Sequence, residues 1–259
     1  MKSIYFLETC FQRGAVNMQL DEWLAESFEQ IDVPDDAIIL RLYQWSPPAI
    51  SIGYHQRETK FDIERLKADG IELCRRPTGG RAVFHIEDLT YSIVMKATKS
   101  NAEHYAEIHR ALRIGLEQLG IQAEFQKQQA DLRAHYEKPE SLSCFTASAR
   151  YELEVNRKKI VGSAQRRFST TLLQHGSLML SAEHKQLVKY LKLSETAKEQ
   201  LQHDLDEKTT SVEEVLGNAP DVVALKRAVL DGFEQGIQSP IKPLDLSTLP
   251  IADALTLHS

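Results

Sequence analysis

Cysteine is scarce in this 259-residue chain: there are three, Cys10, Cys74 and Cys144. Three is an odd number and no two stand at CxxC spacing, which excludes a disulfide framework and points to a reducing compartment. Long hydrophobic runs are missing too. No window reaches the length of a membrane span, and the opening residues, MKSIYFLETCFQRG, hold neither a long apolar core nor a cleavage-like site. A cytoplasmic protein is expected, with no membrane partner. The nine histidines include no HExxH and form no Cys/His pair at zinc spacing, so no metal site is expected. Excess positive charge is also lacking. At a net charge of −6 there is no global attraction to nucleic acid or to an anionic membrane. Internal repeats, low-complexity linkers and a marked domain boundary are all missing. The 42% hydrophobic and 26% charged composition is that of an ordinary globular chain with an ample core. One domain over residues 1–259 is expected, turning helical from about residue 181.

The elements follow from periodicity and punctuation. Ile4 to Leu7, Ala37 to Tyr43, Ala49 to Gly53, Ile71 to Cys74, Ala82 to His85 and Leu89 to Met95 read as strands. Val16, Leu20, Trp23/Leu24 and Phe28 recur at helical spacing, so Ala15 to Gln30 is expected to be an amphipathic helix. Phe61 to Asp69 is a short helix closed by Gly70. Asn101 to Leu119 is a long one, with Tyr105, Ile108, Leu112 and Leu116 on one face. Gln126 to Pro139 is polar and non-periodic, a loop. Ser211 to Glu214 has a capping-box pattern, and Asp221 to Ile237 is amphipathic.

The most informative stretch is Ser141 to Leu180. Tyr151, Leu153 and Val155 alternate with Glu152 and Glu154 as on a strand, and Asn156-Arg157 makes a tight turn lacking the usual glycine. A second strand from Lys158 returns past Gly162 and Ser163. A third, Thr171 to Leu180, follows a basic turn at Arg166-Arg167. Such a meander can bring Cys144 and Lys159 to one sheet end. Cys144 stands in a polar Ser-Leu-Ser-Cys-Phe-Thr context with basic residues nearby, a setting that lowers a thiol pKa. Cys10 and Cys74, in or beside strands, read as small buried hydrophobes. Lysines on strands are usually solvated, and His175, in Gln174-His175-Gly176, is open to a core role as well as a site role. His55, at a strand exit, reads equally as a solvent-facing loop histidine. Gly79-Gly80, flanked by arginines, suits either a plain hairpin or backbone approach to a phosphate or carboxylate. The small residues Gly162-Ser163-Ala164 suggest close approach by a backbone or ligand. Charge is uneven: six bases against two acids lie between Ser141 and Arg167, and thirteen acids against eight bases from Ser181 onward. An acidic partner is drawn to the middle of the chain.

Four blocks in order, Asn17-Met18-Gln19-Leu20-Asp21-Glu22, Arg75-Arg76-Pro77-Thr78-Gly79-Gly80-Arg81-Ala82-Val83, Lys159-Ile160-Val161-Gly162-Ser163-Ala164-Gln165 and Gln174-His175-Gly176-Ser177, resemble the biotin/lipoate protein ligase family. Within it the chain is most similar to the cysteine-dependent octanoyltransferases that use acyl carrier protein as donor. The resemblance implies an α+β fold, a mixed, largely antiparallel sheet flanked by helices. It implies transfer of octanoyl to a lysine of a lipoyl domain or of the glycine cleavage H protein, with no cofactor. It places Cys144 at the acyl-accepting position and Lys159 at the active-site lysine. Arg76, Thr78, Gly79, Gly80, Arg81, His85, Gly162, Ser163, Ala164 and His175 fall in the segments that bind the acyl group. Two departures separate the chain from the ATP-dependent lipoate ligases. Arg150-Tyr151-Glu152-Leu153 stands where those have Arg-Asn-Asp-Leu, and Gly79-Gly80-Arg81-Ala82 where they have Gly-Gly-Gly-Ala. A branch that moves octanoyl between proteins matches the Arg75–Arg81 block less well. The competing expectations are an ATP-dependent ligase and a non-catalytic acyl- or biotin-binding module.

Overall fold

The computed structural model describes residues 3–126 and 151–251. In chain order its strands are β1 (Ile4–Gln12), β2 (Ile38–Trp45), β3 (Ala49–Ile52), β4 (Glu72–Arg75), β5 (Val83–His85), β6 (Asp88–Lys96), β7 (Glu124–Phe125), β8 (Leu153–Val155), β9 (Lys158–Lys159), β10 (Val161–Arg167), β11 (Thr171–Met179) and β12 (Ile241–Pro243). The α-helices are α1 (Gly14–Glu26), α2 (Ile63–Ala68), α3 (Asn101–Gln118), α4 (Glu195–Lys208), α5 (Val212–Leu216) and α6 (Val222–Ile237). Strands and helices combine as α+β, with a mixed main sheet in the order β10-β11-β6-β2-β1-β12. From β10 to β2 every pairing is antiparallel; β1 joins β2 and β12 in parallel. Two three-stranded sheets complete the set, β4-β3-β5 and β7-β8-β9.

The main sheet is buried on both faces, and its alternation decides what each face does. Leu40 and Leu42 of β2, with Leu89, Tyr91 and Ile93 of β6, face α3 and α6 in one apolar cluster. Ile39 and Val94 lie on the other face with Val16, Leu20 and Leu24 of α1. That second face also carries Arg41, Tyr43, Thr90, Ser92, His175 and Ser177, every one of them buried. A row of buried polar side chains in the middle of a sheet demands partners, and it is there that the site forms.

The helices begin where their caps dictate. Ser100 accepts from the Glu103 N–H while the Glu103 carboxylate accepts from the Ser100 N–H, a reciprocal cap that starts α3. Asp221 caps α6 by accepting from Val223 and Ala224. α1 ends at Glu26, and a 3-10 turn, Phe28–Gln30, takes the place of its expected last turn because Ser27 leaves helical geometry. Asn156 and Arg157 both take positive φ, 50° and 65°, so the expected tight turn joins β8 to β9 with an arginine where glycine is usual. Arg166 and Arg167 stand inside β10, not in a turn, because the ladder to Leu172 and Leu173 runs through them. The loop expected over Gln126 to Pro139 lies outside the described residues beyond Gln126.

α3 and α6 cross at glycines. A Cβ on Gly232 would sit 2.4 Å from the Ala111 carbonyl oxygen and 2.5 Å from the Gly115 nitrogen. Gly232→Ala should therefore destabilise by about 1–3 kcal/mol through overpacking. The gain of up to ~1 kcal/mol that alanine brings to a helix interior will not offset it. Urea denaturation reads this directly; an unchanged or raised midpoint would show that the helices can part at no cost.

Candidate active site

Asp21 organises the polar face. Its Oδ1 accepts from Arg41 at 2.7 Å and from Ser92 at 2.7 Å; its Oδ2 accepts from Tyr43 at 2.8 Å and from His175 Nδ1 at 2.9 Å. Both side chains of the Asp21–Arg41 pair are fully buried. Burial pushes the Asp21 carboxyl up, but Arg41 and His175 outweigh it, and its pKa lies below the ordinary carboxylate value. Arg41 is further held by Thr9 and by the side chain and carbonyl of Asn17. A carboxylate only accepts, so Nδ1 of His175 carries a proton, and Nε2 faces Thr78 Oγ1 at 2.7 Å.

A second chain of bonds runs beside the first. His85 Nδ1 donates to Asp88 at 2.8 Å, and its Nε2 meets Ser51 Oγ at 2.8 Å. Burial lowers the His85 pKa more than Asp88 raises it, so the ring is neutral and Nε2 accepts. The Trp45 indole stacks on that ring at 3.8 Å and donates to Thr90, which in turn donates to Asp88. Between these two histidines lies a narrow cavity of about 30 Å³, partly open to solvent, whose exposed surface is mostly apolar. Met18, Tyr43, Trp45 and Val83 supply apolar surface, and β10 supplies Gly162, Ser163 and Ala164.

Six of the residues expected from sequence line this cavity: Arg76, His85, Gly162, Ser163, Ala164 and His175. Thr78 reaches it through His175. Gly79, Gly80 and Arg81 do not line it. A Cβ on Gly53 would sit 2.0 Å from the Gly80 carbonyl oxygen, so the backbone approach at this glycine pair is to the chain itself. Arg76, expected to face an anion, is buried and donates to the carbonyls of Ser51, Gly79 and Arg81. It braces the loop from within. Arg81 is buried as well, and Arg75 donates to the carbonyls of Gly53, Tyr54 and Gln56. His55 is exposed.

Lys159 is not on a solvated face. It is buried, with Nζ 2.6 Å from Oε1 of Glu152, which is buried too although alternation pointed it outward. The reason is that Glu152 stands ahead of β8, where strand alternation does not apply. Tyr151 has φ 73°, a left-handed conformation costing about 1–2 kcal/mol in a non-glycine residue, and the strand starts only at Leu153. Behind the β10 wall, His109 of α3 bonds Ser163 Oγ at 2.9 Å and the Tyr151 carbonyl at 2.8 Å. Burial pushes its pKa down to about 3, the Tyr151 carbonyl opposing and Lys159 assisting. Cys144 lies outside the described residues. Of the other cysteines, Cys10 is exposed, contrary to the buried role expected for it, because a bulge in β1 gives it φ 49°. Cys74 is buried as expected, and burial with Glu72 pushes its thiol up to about 12. No cluster of three or more His, Cys, Asp or Glu among the described residues has the geometry to hold a metal. No described helix is long and apolar enough to cross a membrane.

The model of the lipoyl protein ligase A/B catalytic domain matches residues 13–234. The chain belongs to that family. Among its relatives is the octanoyltransferase LipM of Geobacillus kaustophilus, 35% identical over 254 residues, 93% of this chain and 89% of that protein. The LipM of Carboxydothermus hydrogenoformans is 35% identical over 248 residues, 92% and 88% of the two chains. Among solved structures, a chain from the archaeal bi-partite lipoate protein ligase and E2 lipoyl domain of Thermoplasma acidophilum superposes with a TM-score of 0.75 at 20% identity, covering 99% of this chain and 91% of that one. A lipoate-protein ligase A bound with ATP gives 0.72 at 22% identity, covering 99% and 93%. At such identities the two structures speak for the fold of the family, and the cavity is judged on its own residues. Asp21, Tyr43, Trp45, Ser51, Asp88, Thr90, His109 and Glu152 went unnamed among the site residues expected from sequence. Only Asp21 stood in a quoted block.

Asp21→Asn should strand the Arg41 guanidinium and destabilise by about 3–5 kcal/mol at neutral pH. The wild type should weaken as pH falls. His85 and His109 resist protons that the unfolded chain takes up near 6.5, and Asp21 stays ionised below 3.8, where its unfolded counterpart is protonated. Stability is thus lost from about pH 6.5 downward, and urea midpoints across pH 7 to 4 should show it. A midpoint indifferent to pH would contradict the buried neutral histidines.

Proposed function

We propose that this chain is a protein N-octanoyltransferase of lipoate biosynthesis, taking octanoyl from acyl carrier protein to a lysine of a lipoyl domain or glycine cleavage H protein. The observation that carries the reading is the near full-length identity to octanoyltransferases, 35% over 93% of the chain. The apolar surface of the cavity is in keeping with it: at about 30 Å³ the cavity has to widen to take a tail of about seven carbons, whose burial contributes up to roughly 5–6 kcal/mol at ~0.8 per CH₂.

The reaction divides in two. The Cys144 thiolate attacks the donor thioester carbonyl; the new carbon–sulfur bond forms as the carrier thiolate leaves and takes a proton. The acceptor amine then attacks the Cys144 thioester, an amide forms, and the Cys144 thiolate returns with loss of one amine proton. Exchange between thioesters is close to isoenergetic and needs no nucleotide; amide formation draws the sequence forward. Lys159, its ammonium held by Glu152, donates to the developing oxyanion and stabilises it. With a carboxylate at 2.6 Å, much of the lysine's field is balanced, so its contribution is a fixed hydrogen-bond donor more than a free charge.

Acidic partners were expected to meet the basic run between Arg150 and Arg167. Part of that run is used within the chain. Arg166 donates to the Pro77 carbonyl and pairs with Glu22 at 3.4 Å; Arg167 donates to the carbonyls of Ala97 and Lys99. Docking therefore draws less on these two than their charge suggests, and a modest salt dependence is expected.

The purified protein, given octanoyl-acyl carrier protein and an apo lipoyl domain, should form octanoyl-lysine without ATP. Cys144→Ala should lower the rate at least about a hundredfold and abolish the octanoyl adduct seen by intact mass, a loss of the size that removing a nucleophile brings. Cys10→Ala and Cys74→Ala should keep the adduct. Modification that instead needs free acid and ATP, and fails with the thioester, would make the chain a ligase.

A further inference from the structure

The hydrogen bonds behind the acyl-pocket wall all run one way. The Tyr151 carbonyl can only accept, so His109 Nδ1 carries the proton of that 2.8 Å bond. The ring is neutral, so Nε2 is a bare acceptor and Ser163 Oγ donates to it at 2.9 Å. Ser163 then accepts from the Tyr91 hydroxyl at 2.7 Å, Tyr91 from Gln174 Nε2 at 2.8 Å, and Gln174 Oε1 from Gln165 at 2.6 Å. The chain starts on β10, crosses β11 and β6, and ends on one backbone carbonyl.

That carbonyl is the peptide between Tyr151 and Glu152. Tyr151 is a bulky residue at positive φ, a conformation that persists only where surroundings hold it. Glu152 follows directly, and its carboxylate receives the Lys159 ammonium at 2.6 Å. The His109 ring itself is fixed, buried in α3 and packed at 4.2 Å against the Tyr105 ring.

We propose that His109 is a positioning residue for Lys159: by donating to the Tyr151 carbonyl it fixes the peptide that joins Tyr151 to Glu152, from which the Glu152 carboxylate reaches the lysine, while its other nitrogen anchors the pocket wall at Ser163. The inference rests on Lys159 serving the octanoyl transfer proposed above. His109 does not line the cavity. It acts through a strained backbone joint, and the two nitrogens have separable tasks.

Two substitutions divide them. In His109→Asn the side-chain amide takes the place of Nδ1 and can still donate to Tyr151. In His109→Gln the amide takes the place of Nε2, serving Ser163 and removing the donor from the Tyr151 carbonyl. Two readouts are taken on each full-length protein: steady-state octanoyl transfer, and acylation of Lys159 by an amine-reactive ester, followed by peptide mass spectrometry. His109→Gln should lower kcat at least tenfold, leave KM for both protein substrates within about twofold, and raise Lys159 labelling severalfold. His109→Asn should keep kcat within about threefold and Lys159 protected. Equal losses in the two variants, or wild-type Lys159 protection in His109→Gln, would overturn the proposal. If His109→Gln does not fold, Tyr151→Gly is added, since glycine takes the bend without help. Recovery of folding and of Lys159 protection in the double variant supports the joint; a double variant that stays unfolded or unprotected overturns it. Should the wild type transfer no octanoyl while labelling still separates Asn from Gln, the positioning role stands and the octanoyl reading falls.

Discussion

The buried pair of Asp21 and Arg41 is the contact on which the site depends. Taking both charges out of water costs several kcal/mol per ion, and only full coordination offsets that. Here it is full. Asp21 accepts four hydrogen bonds, two on each oxygen, from β2, β6 and β11, while Arg41 reaches Thr9 and Asn17. One carboxylate on α1 thereby ties three strands of the main sheet to the helix that covers them. It also sets the His175 tautomer, which aims Nε2 at Thr78 in the loop after β4. The cavity's position between the sheet and that loop is a consequence of this one pair.

The loop has its own internal frame. Arg76 donates to three carbonyls around the turn, and Gly53 admits the Gly80 carbonyl where any side chain would block it. Arginine and glycine here shape a wall instead of gripping a ligand. The wall opposite, Gly162 to Ala164, is held from behind by Tyr91 and His109. The cavity is thus lined by polar side chains whose hydrogen bonds are made to other protein groups, with Met18, Tyr43, Trp45 and Val83 supplying apolar surface. An apolar group could enter it without any of these bonds being broken.

Period-two alternation made β2, β6 and β11 legible, and Ser100, Ser211 and Asp221 marked helix starts, because those signals depend on neighbours in sequence. The four family blocks located the cavity. What local pattern could not show was pairing across 20 to 150 residues. Nothing near Arg41 says that its partner is Asp21, and nothing near Gly115 says that Gly232 crosses it. Glu152 is the sharpest case. Strand alternation from Tyr151 to Val155 set it on the face opposite Leu153 and Val155, but the strand starts only at Leu153 and the carboxylate is buried against Lys159. Positive φ in an aromatic residue leaves no trace in composition. His109 was hidden for another reason: a histidine on a helix face of leucines and alanines reads as a packed core residue.

The relation to the ligases sharpens what this arrangement means. At 22% identity, the superposition on a lipoate-protein ligase A bound with ATP at a TM-score of 0.72 speaks for the shared fold, and the chemistry rests on this chain's own residues. A ligase must hold a nucleotide with its charges; the transfer proposed above calls for a fixed ammonium beside the thioester. Pairing Lys159 with a buried carboxylate at 2.6 Å serves that second need. The carboxylate keeps the ammonium in place when no substrate is present and offsets its charge. The two charges stay matched in the buried site as long as the lysine keeps its proton. In the proposed transfer, the place of Glu152 therefore bears on how firmly Lys159 is held.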